Sequence, residues 1–146
     1  MAEYRNLIAG LSGAIALNLL HESLKNKGDD MPRVDLIGEE ALNKGLSWFG
    51  KRIGSPDNLY RATLAGDVLT NTLYYSLIGV RVTQNLVLKG LVSGLSAGIG
   101  AVVLPGPMGL DDQPVTRTAK TKLLTIAYYL TGALVTSVIL KALSKK

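Results

Sequence analysis

The 146-residue sequence contains no cysteine, and it has few aromatic side chains, with one tryptophan and one phenylalanine. Without cysteine the chain has no disulfides, no thiolate metal sites, no c-type haem attachment and no redox-active thiols. Its single histidine, His21, has no serine motif near it, and the glycines do not follow the spacing of a phosphate-binding loop. We therefore expect no cofactor, and the sequence contains no motif typical of a metal site.

Charged side chains are nearly missing from four windows, 7–21, 62–80, 90–110 and 123–140, in which only Asp67 is charged. Windows of about 18–20 mostly apolar residues are what a hydrocarbon layer of ~30 Å requires. The sequence therefore predicts an all-α, polytopic membrane protein with a single domain over 1–146 and four transmembrane helices in a bundle. We place these helices 1 to 4 at about 4–25, 56–80, 86–104 and 119–143.

The segment 34–53, between helices 1 and 2, is too charged to span a bilayer. Its apolar residues recur at near-helical spacing: Val34, Ile37, Ala41, Leu46, Phe49 and Ile53. We expect an amphipathic helix at the membrane interface, with Trp48 and Phe49 at headgroup depth. A soluble loop helix packed on the mouth of the bundle fits the pattern equally well.

The basic residues, which give a net charge of +5, cluster at helix ends and in loops, as headgroup anchors do. No RNA- or DNA-binding motif accompanies them, so the expected partner is the lipid bilayer and no nucleic acid. The expected location is a multi-pass position in a membrane. The density of Lys and Arg favours cytoplasmic termini, which we expect, while their raw count in the longer loops favours the reverse.

Small residues recur along helix 3 at i, i+4 and i+8, as Gly90, Gly94 and Gly98. Rows of this kind, known as glycine zippers, let helix backbones approach closely in lipid. Helix 1 offers a matching row around Gly13. We expect helix 3 to pack on helix 1 or helix 4, and a homodimer through a second small face is the alternative. The short polar turn at 81–85 predicts a tight antiparallel hairpin of helices 2 and 3.

Asp67 lies on a polar stripe of helix 2, and an ionised aspartate inside a span costs ~3 kcal/mol on insertion scales. It should therefore face partners or water. Helices 1 and 4 carry polar stripes of their own, and all three stripes fall in the half of the membrane nearer the long loops. The ligand- or ion-binding candidates are Asp67, Asn71, Glu22, Asn18, His21, Tyr128, Thr125 and Tyr74.

This polar layer is compatible with several functions. The first is a small transporter or channel-like protein with Asp67 and Glu22 as charged groups. The second is a structural or assembly subunit that packs against a larger membrane complex through the glycine rows, with the helix at 34–53 as a docking surface. For Asp67 and Asn71 themselves, the alternative to a binding role is a structural pair that is hydrogen-bonded across the helix interface. The third is a lipid-acting enzyme with Glu22 and Asp67 as acid and base, although no catalytic constellation is visible. A divalent cation held by His21, Glu22 and Asp67 is a further alternative, but a firm site needs three or four ligands.

Overall fold

The computed structural model describes residues 2–80 and 85–145, and all regular structure in these ranges is helical. The helices are α1 (Ala2–Leu24), α2 (Val34–Ser47), α3 (Pro56–Ser76), α4 (Leu86–Val103), α5 (Gln113–Thr116) and α6 (Ala119–Ser144). A 3-10 turn at Leu77–Gly79 follows α3. The polar turn predicted at 81–85 falls mostly on 81–84, which lie outside the described residues.

The prediction of an all-helical chain is confirmed, and three helices, α1, α4 and α6, are long and apolar enough to cross a membrane. Helix α3 is not among them, because Asp57, Arg61 and Asp67 and several amide and hydroxyl side chains lower its hydropathy. The predicted count of four spans is therefore not confirmed by helix length and composition. Short α5 was not predicted.

Helix α1 packs between α3 and α6, and α6 also packs against α4. The α1–α3 pair is antiparallel along its whole length. At one end of the pair Lys25 bonds to Tyr60, and in the middle Asn18 bonds to Asp67. Near the other end Asn6 lies against Gly79. Helix α3 therefore extends over the same depth of the bundle as α1.

Glycines mark the closest approaches between helices. A Cβ atom on Gly94 would lie 2.7 Å from the Cα of Leu130, and one on Gly98 would lie 2.6 Å from the Cα of Ile126. Both neighbours belong to α6, and Gly90 likewise meets the Ser137 side chain of α6. The small-residue face of α4 is thus covered within the chain.

The main packing partners of the two helices in the predicted hairpin are other helices, since α3 packs chiefly on α1 and α4 chiefly on α6. Helices α3 and α4 still meet where the Tyr74 hydroxyl donates to the carbonyl of Ser93. On α1, Gly13 abuts Gly132 and Thr136 of α6, and Gly10 abuts the backbone of α3 at Thr72. Small residues therefore select the partner of each helix, whatever the length of the connecting turn.

The outer faces of the long helices are apolar and exposed. On α4 this face runs the full length of the helix, and α1, α3 and α6 have exposed apolar residues of their own. Soluble monomers seldom expose contiguous apolar surface on this scale. The exposed residues include Leu11, Ile15, Leu19, Leu69, Leu73, Leu77, Leu88, Val92, Leu95, Ile99, Val103, Leu123 and Val138.

Helix α2 is shorter than the helix predicted over 34–53. It ends at Ser47, because Gly50 takes a positive φ of 69° and the N–H of Lys51 donates back to the carbonyl of Leu46. Trp48 and Phe49 therefore lie in the turn that follows, each 79% exposed. The helix itself packs against α3 and α5 at the end of the bundle.

Candidate functional site

A cavity of about 40 Å³ lies where α1, α2, α3 and α6 meet. Polar and aromatic side chains from all four helices line it, including Asn18, His21, Glu22, Asp35, Tyr60, Thr63, Asp67, Tyr128 and Tyr129. Organic ligands occupy sites of roughly 300–1,000 Å³, whereas a water needs only about 10–15 Å³. This cavity therefore has room for a few waters or a small ion, and for no organic molecule.

Asp67 is held by two amide side chains. Asn18 Nδ2 of α1 donates to its Oδ2 at 2.9 Å, and Asn71 Nδ2, one turn further along α3, donates to its Oδ1 at 2.9 Å. Among the described residues, no Lys, Arg or His nitrogen lies within ion-pair distance of this carboxylate. Asp67 is thus oriented by neutral donors.

Asp35, in the first turn of α2, reaches down to the end of α1. Arg33 Nη2 bonds to its Oδ2 at 2.7 Å, and His21 Nε2 lies 3.4 Å from its Oδ1 without the angles of a hydrogen bond. Burial alone would raise the pKa of Asp35, but its interactions with His21 and Arg33 outweigh burial and hold that pKa well below its usual range. Asp35 therefore serves as the anionic partner of Arg33.

Glu22 has a separate cation. Lys25 Nζ lies 2.8 Å from Glu22 Oε2, 3.3 Å from the hydroxyl of Tyr60, and 4.5 Å from the centre of the Tyr60 ring. Burial opposes the charge of Lys25, but the hydrogen bonds to Glu22 and Tyr60 raise its pKa. The outer rim of the cavity consists of two neutralised ion pairs, Lys25–Glu22 and Arg33–Asp35.

Three buried polar atoms on the cavity lining lack a hydrogen-bond partner: His21 Nε2, Thr63 Oγ1 and Tyr128 OH. Buried polar groups in proteins nearly always have a partner, which is often an ordered water. The cavity therefore has unused hydrogen-bonding capacity on its α1, α3 and α6 walls.

Gly38 allows α2 to close over this cavity. A Cβ atom at Gly38 would lie 2.6 Å from the Thr63 methyl group, so a larger residue would push α2 away from α3. The loop before α2 is also fixed, because Arg33 N–H donates to the carbonyl of Pro114 and Arg117 donates to that of Asp29. Helix α2 is thereby held as a cover on one end of the bundle.

The structure brings five of the eight candidate residues to the cavity wall: Asn18, His21, Glu22, Asp67 and Tyr128. Asn71 does not line the cavity, but it donates a hydrogen bond to Asp67, which does. Thr125 is buried but donates to the carbonyl of Thr121 in its own helix. Tyr74 lies apart, on the side facing α4, where it donates to the carbonyl of Ser93.

Sequence reasoning missed the contribution of α2. Asp35 is not among the site candidates from the sequence, whereas in the structure its carboxylate is buried against His21 and Arg33. The sequence signal for this pair is the spacing of Arg33 and Asp35 directly after Pro32. At the start of a helix, two residues with this spacing can bring their side chains together. Sequence reasoning also placed Tyr74 on the polar stripe, but Tyr75 is the buried member, and it donates to the carbonyl of Tyr129.

The arrangement can hold water or a small cation beside Asp67. Within the described ranges, no three His, Asp or Glu side chains converge as a divalent-metal site would require. Glu22 and Asp67 are engaged by different partners. No protein-family model matches this chain, and no curated protein and no solved structure shows significant similarity to it.

Proposed function

We propose that the protein crosses the membrane four times, with α3 as the fourth span beside α1, α4 and α6. The support is the antiparallel packing of α3 along the whole of α1, from the Lys25–Tyr60 bond to the Asn6–Gly79 contact. A helix that lies beside a spanning helix over its full length occupies the same depth of the bilayer. The polar face of α3 turns toward α1, and Leu69 and Leu73 of α3, with Leu77 of the 3-10 turn that follows, are exposed.

Single cysteines test this topology cleanly, because the chain has none of its own. We expect Val80→Cys and Ser144→Cys to react with an impermeant maleimide from one side of sealed vesicles. Asp57→Cys and Met108→Cys should react only from the other side. Labelling of Val80→Cys and Asp57→Cys from the same side would exclude α3 as a span.

We further propose that the protein is a small transporter or channel-like protein for a cation or for protons, with Asp67 at its centre. One observation carries this proposal: a carboxylate that has no Lys, Arg or His nitrogen within ion-pair distance among the described residues and that lies beside a small cavity inside the bundle. An intramembrane acid is costly, and it commonly marks an ion or proton pathway. The size of the cavity restricts the cargo to a small ion.

Flux measurements in proteoliposomes test the transport function. We expect uptake of a cation or of protons by the wild-type protein, and a rate at the protein-free baseline for Asp67→Asn. Asp57→Asn is the matched control, because Asp57 is exposed at the start of the same helix and away from the cavity. Equal uptake of every tested cation and of protons by Asp67→Asn and wild type would refute the transport function.

An assembly role is the second candidate, favoured by the exposed pair Trp48 and Phe49 at the end of the bundle. Exposed Lys51 and Arg52 follow this pair, so the segment also suits a membrane surface. The glycine face of α4 is not available for docking, because α6 covers it. Purification from native membranes separates the two roles, since an assembly subunit should co-purify with a defined larger complex.

A further inference from the structure

Asp67 differs from the other two carboxylates that line the cavity. Glu22 is bound to Lys25 and Asp35 is bound to Arg33, and His21 lies near both. Both oxygens of Asp67 accept hydrogen bonds, an arrangement that suits an ionised carboxylate, which accepts at both oxygens. Among the described residues, however, no Lys, Arg or His nitrogen lies within ion-pair distance of Asp67, so a bound cation can pair with it directly.

The cavity wall also carries two hydroxyl oxygens that could bind a cation. Thr63 Oγ1 and Tyr128 OH have no hydrogen-bond partner among the described residues, and the two residues are only 8% and 1% exposed. Together with one carboxylate, neutral oxygens of this kind are ligands for hard cations such as Na⁺. A single free carboxylate matches a monovalent ion, whereas divalent sites usually gather several.

We propose that the cavity binds one partly dehydrated Na⁺ ion, with Asp67 as its counter-charge and the Thr63 and Tyr128 hydroxyls as neutral ligands. The ion places a positive charge directly beside Asp67 and gives the hydroxyl oxygens of Thr63 and Tyr128 a partner, and the cavity of about 40 Å³ leaves room for an accompanying water. This inference rests on the proposed function, since it names the cation that the transport site would take.

Equilibrium binding of ²²Na⁺ to the purified, full-length protein in detergent tests the site. We expect saturable binding of one ion per chain, with no competition from N-methylglucamine. Asp67→Asn should abolish binding. The isosteric variants Thr63→Val and Tyr128→Phe should weaken it about tenfold, the lower end of what lost support at a metal site costs. Asp57→Asn and Tyr4→Phe, at exposed positions, serve as matched controls and should bind as wild type does.

The outcomes separate this inference from the transport function. Absence of saturable ²²Na⁺ binding to the wild type, or undiminished binding by Asp67→Asn and Tyr128→Phe, overturns the sodium site. If Asp67-dependent proton flux persists in either case, the transport function stands without sodium. Conversely, binding that needs Asp67 in a protein without flux supports the sodium site and overturns transport.

Discussion

Replacing Asp35 with asparagine should destabilise the fold by removing the anionic partner of Arg33. Arg33 donates to both carboxylate oxygens of Asp35, at 2.7 and 2.9 Å, and Lys25 Nζ lies 3.9 Å from it. The Asp35 side chain is 7% exposed, whereas that of Arg33 is 32% exposed. Breaking a buried ion pair on one side costs about 3–5 kcal/mol. Because solvent screens the charge of the partly exposed Arg33, we expect Asp35→Asn to lower the free energy of unfolding by about 1–3 kcal/mol.

Thermal unfolding in detergent measures this loss. For a chain of this size, 1 kcal/mol corresponds to about 2–4 °C, so Asp35→Asn should lower Tm by roughly 2–12 °C at pH 7. Asp29→Asn, on the exposed loop just before α2, is the matched control and should leave Tm nearly unchanged. An unchanged Tm for Asp35→Asn would show that the Arg33–Asp35 pair does not hold α2 in place.

The same variant gives a pH signature. The pKa of Asp35 is lowered in the folded protein, mainly through His21 and Arg33 acting against burial. A lowered pKa contributes stability above the unfolded pKa of about 3.9, and this stability is lost as the pH falls through the folded pKa. The Tm difference between wild type and Asp35→Asn should therefore narrow as the pH falls below about 4. A difference that widens in acid would refute this reasoning.

Three further predictions concern packing and the interface. Gly94→Leu should destabilise the α4–α6 contact by about 1–3 kcal/mol in an unfolding titration, because its Cβ would meet α6 backbone. Gly66→Ala is the control: the glycine has open space around it, so the change should be neutral or stabilising by up to about 1 kcal/mol. Equal losses of stability for Gly94→Leu and Gly66→Ala would contradict the close contact of Gly94 with α6. Tyr75→Phe should cost about 1 kcal/mol through its bond to the carbonyl of Tyr129, and no measurable loss would show that the bond adds nothing. Trp48 fluorescence should be quenched most by lipids brominated near the headgroup, and absence of quenching would place it outside the interface.

Much of the fold could be predicted from the sequence, because each long helix carries its own signal. The apolar runs set α1, α4 and α6 to within two residues at each end. Ser55 and Pro56 mark the start of α3, where the Ser55 hydroxyl accepts from the N–H of Asn58. Where the sequence signal for a helix end lies in the helix itself, the predicted end agrees closely with the structure.

What the sequence did not predict depends on contacts between distant segments. The burial of Asp35 requires α2 to fold back over the end of α1, and helical periodicity within α2 carries no information about that. The pairing of α4 with α6 depends on which small faces fit best in space, which the short connection to α3 does not determine. The end of α2 near Ser47 could have been predicted from Gly50, because glycine suits the left-handed backbone that often follows a helix.

Our proposal that Asp67, beside the cavity between α1, α2, α3 and α6, binds and moves a cation is tested most directly by charge displacement on a solid-supported membrane. A jump in Na⁺ concentration is applied to the reconstituted protein. We expect a transient current for wild type and for Asp57→Asn, and none for Asp67→Asn. A current of equal size from Asp67→Asn would contradict the proposal.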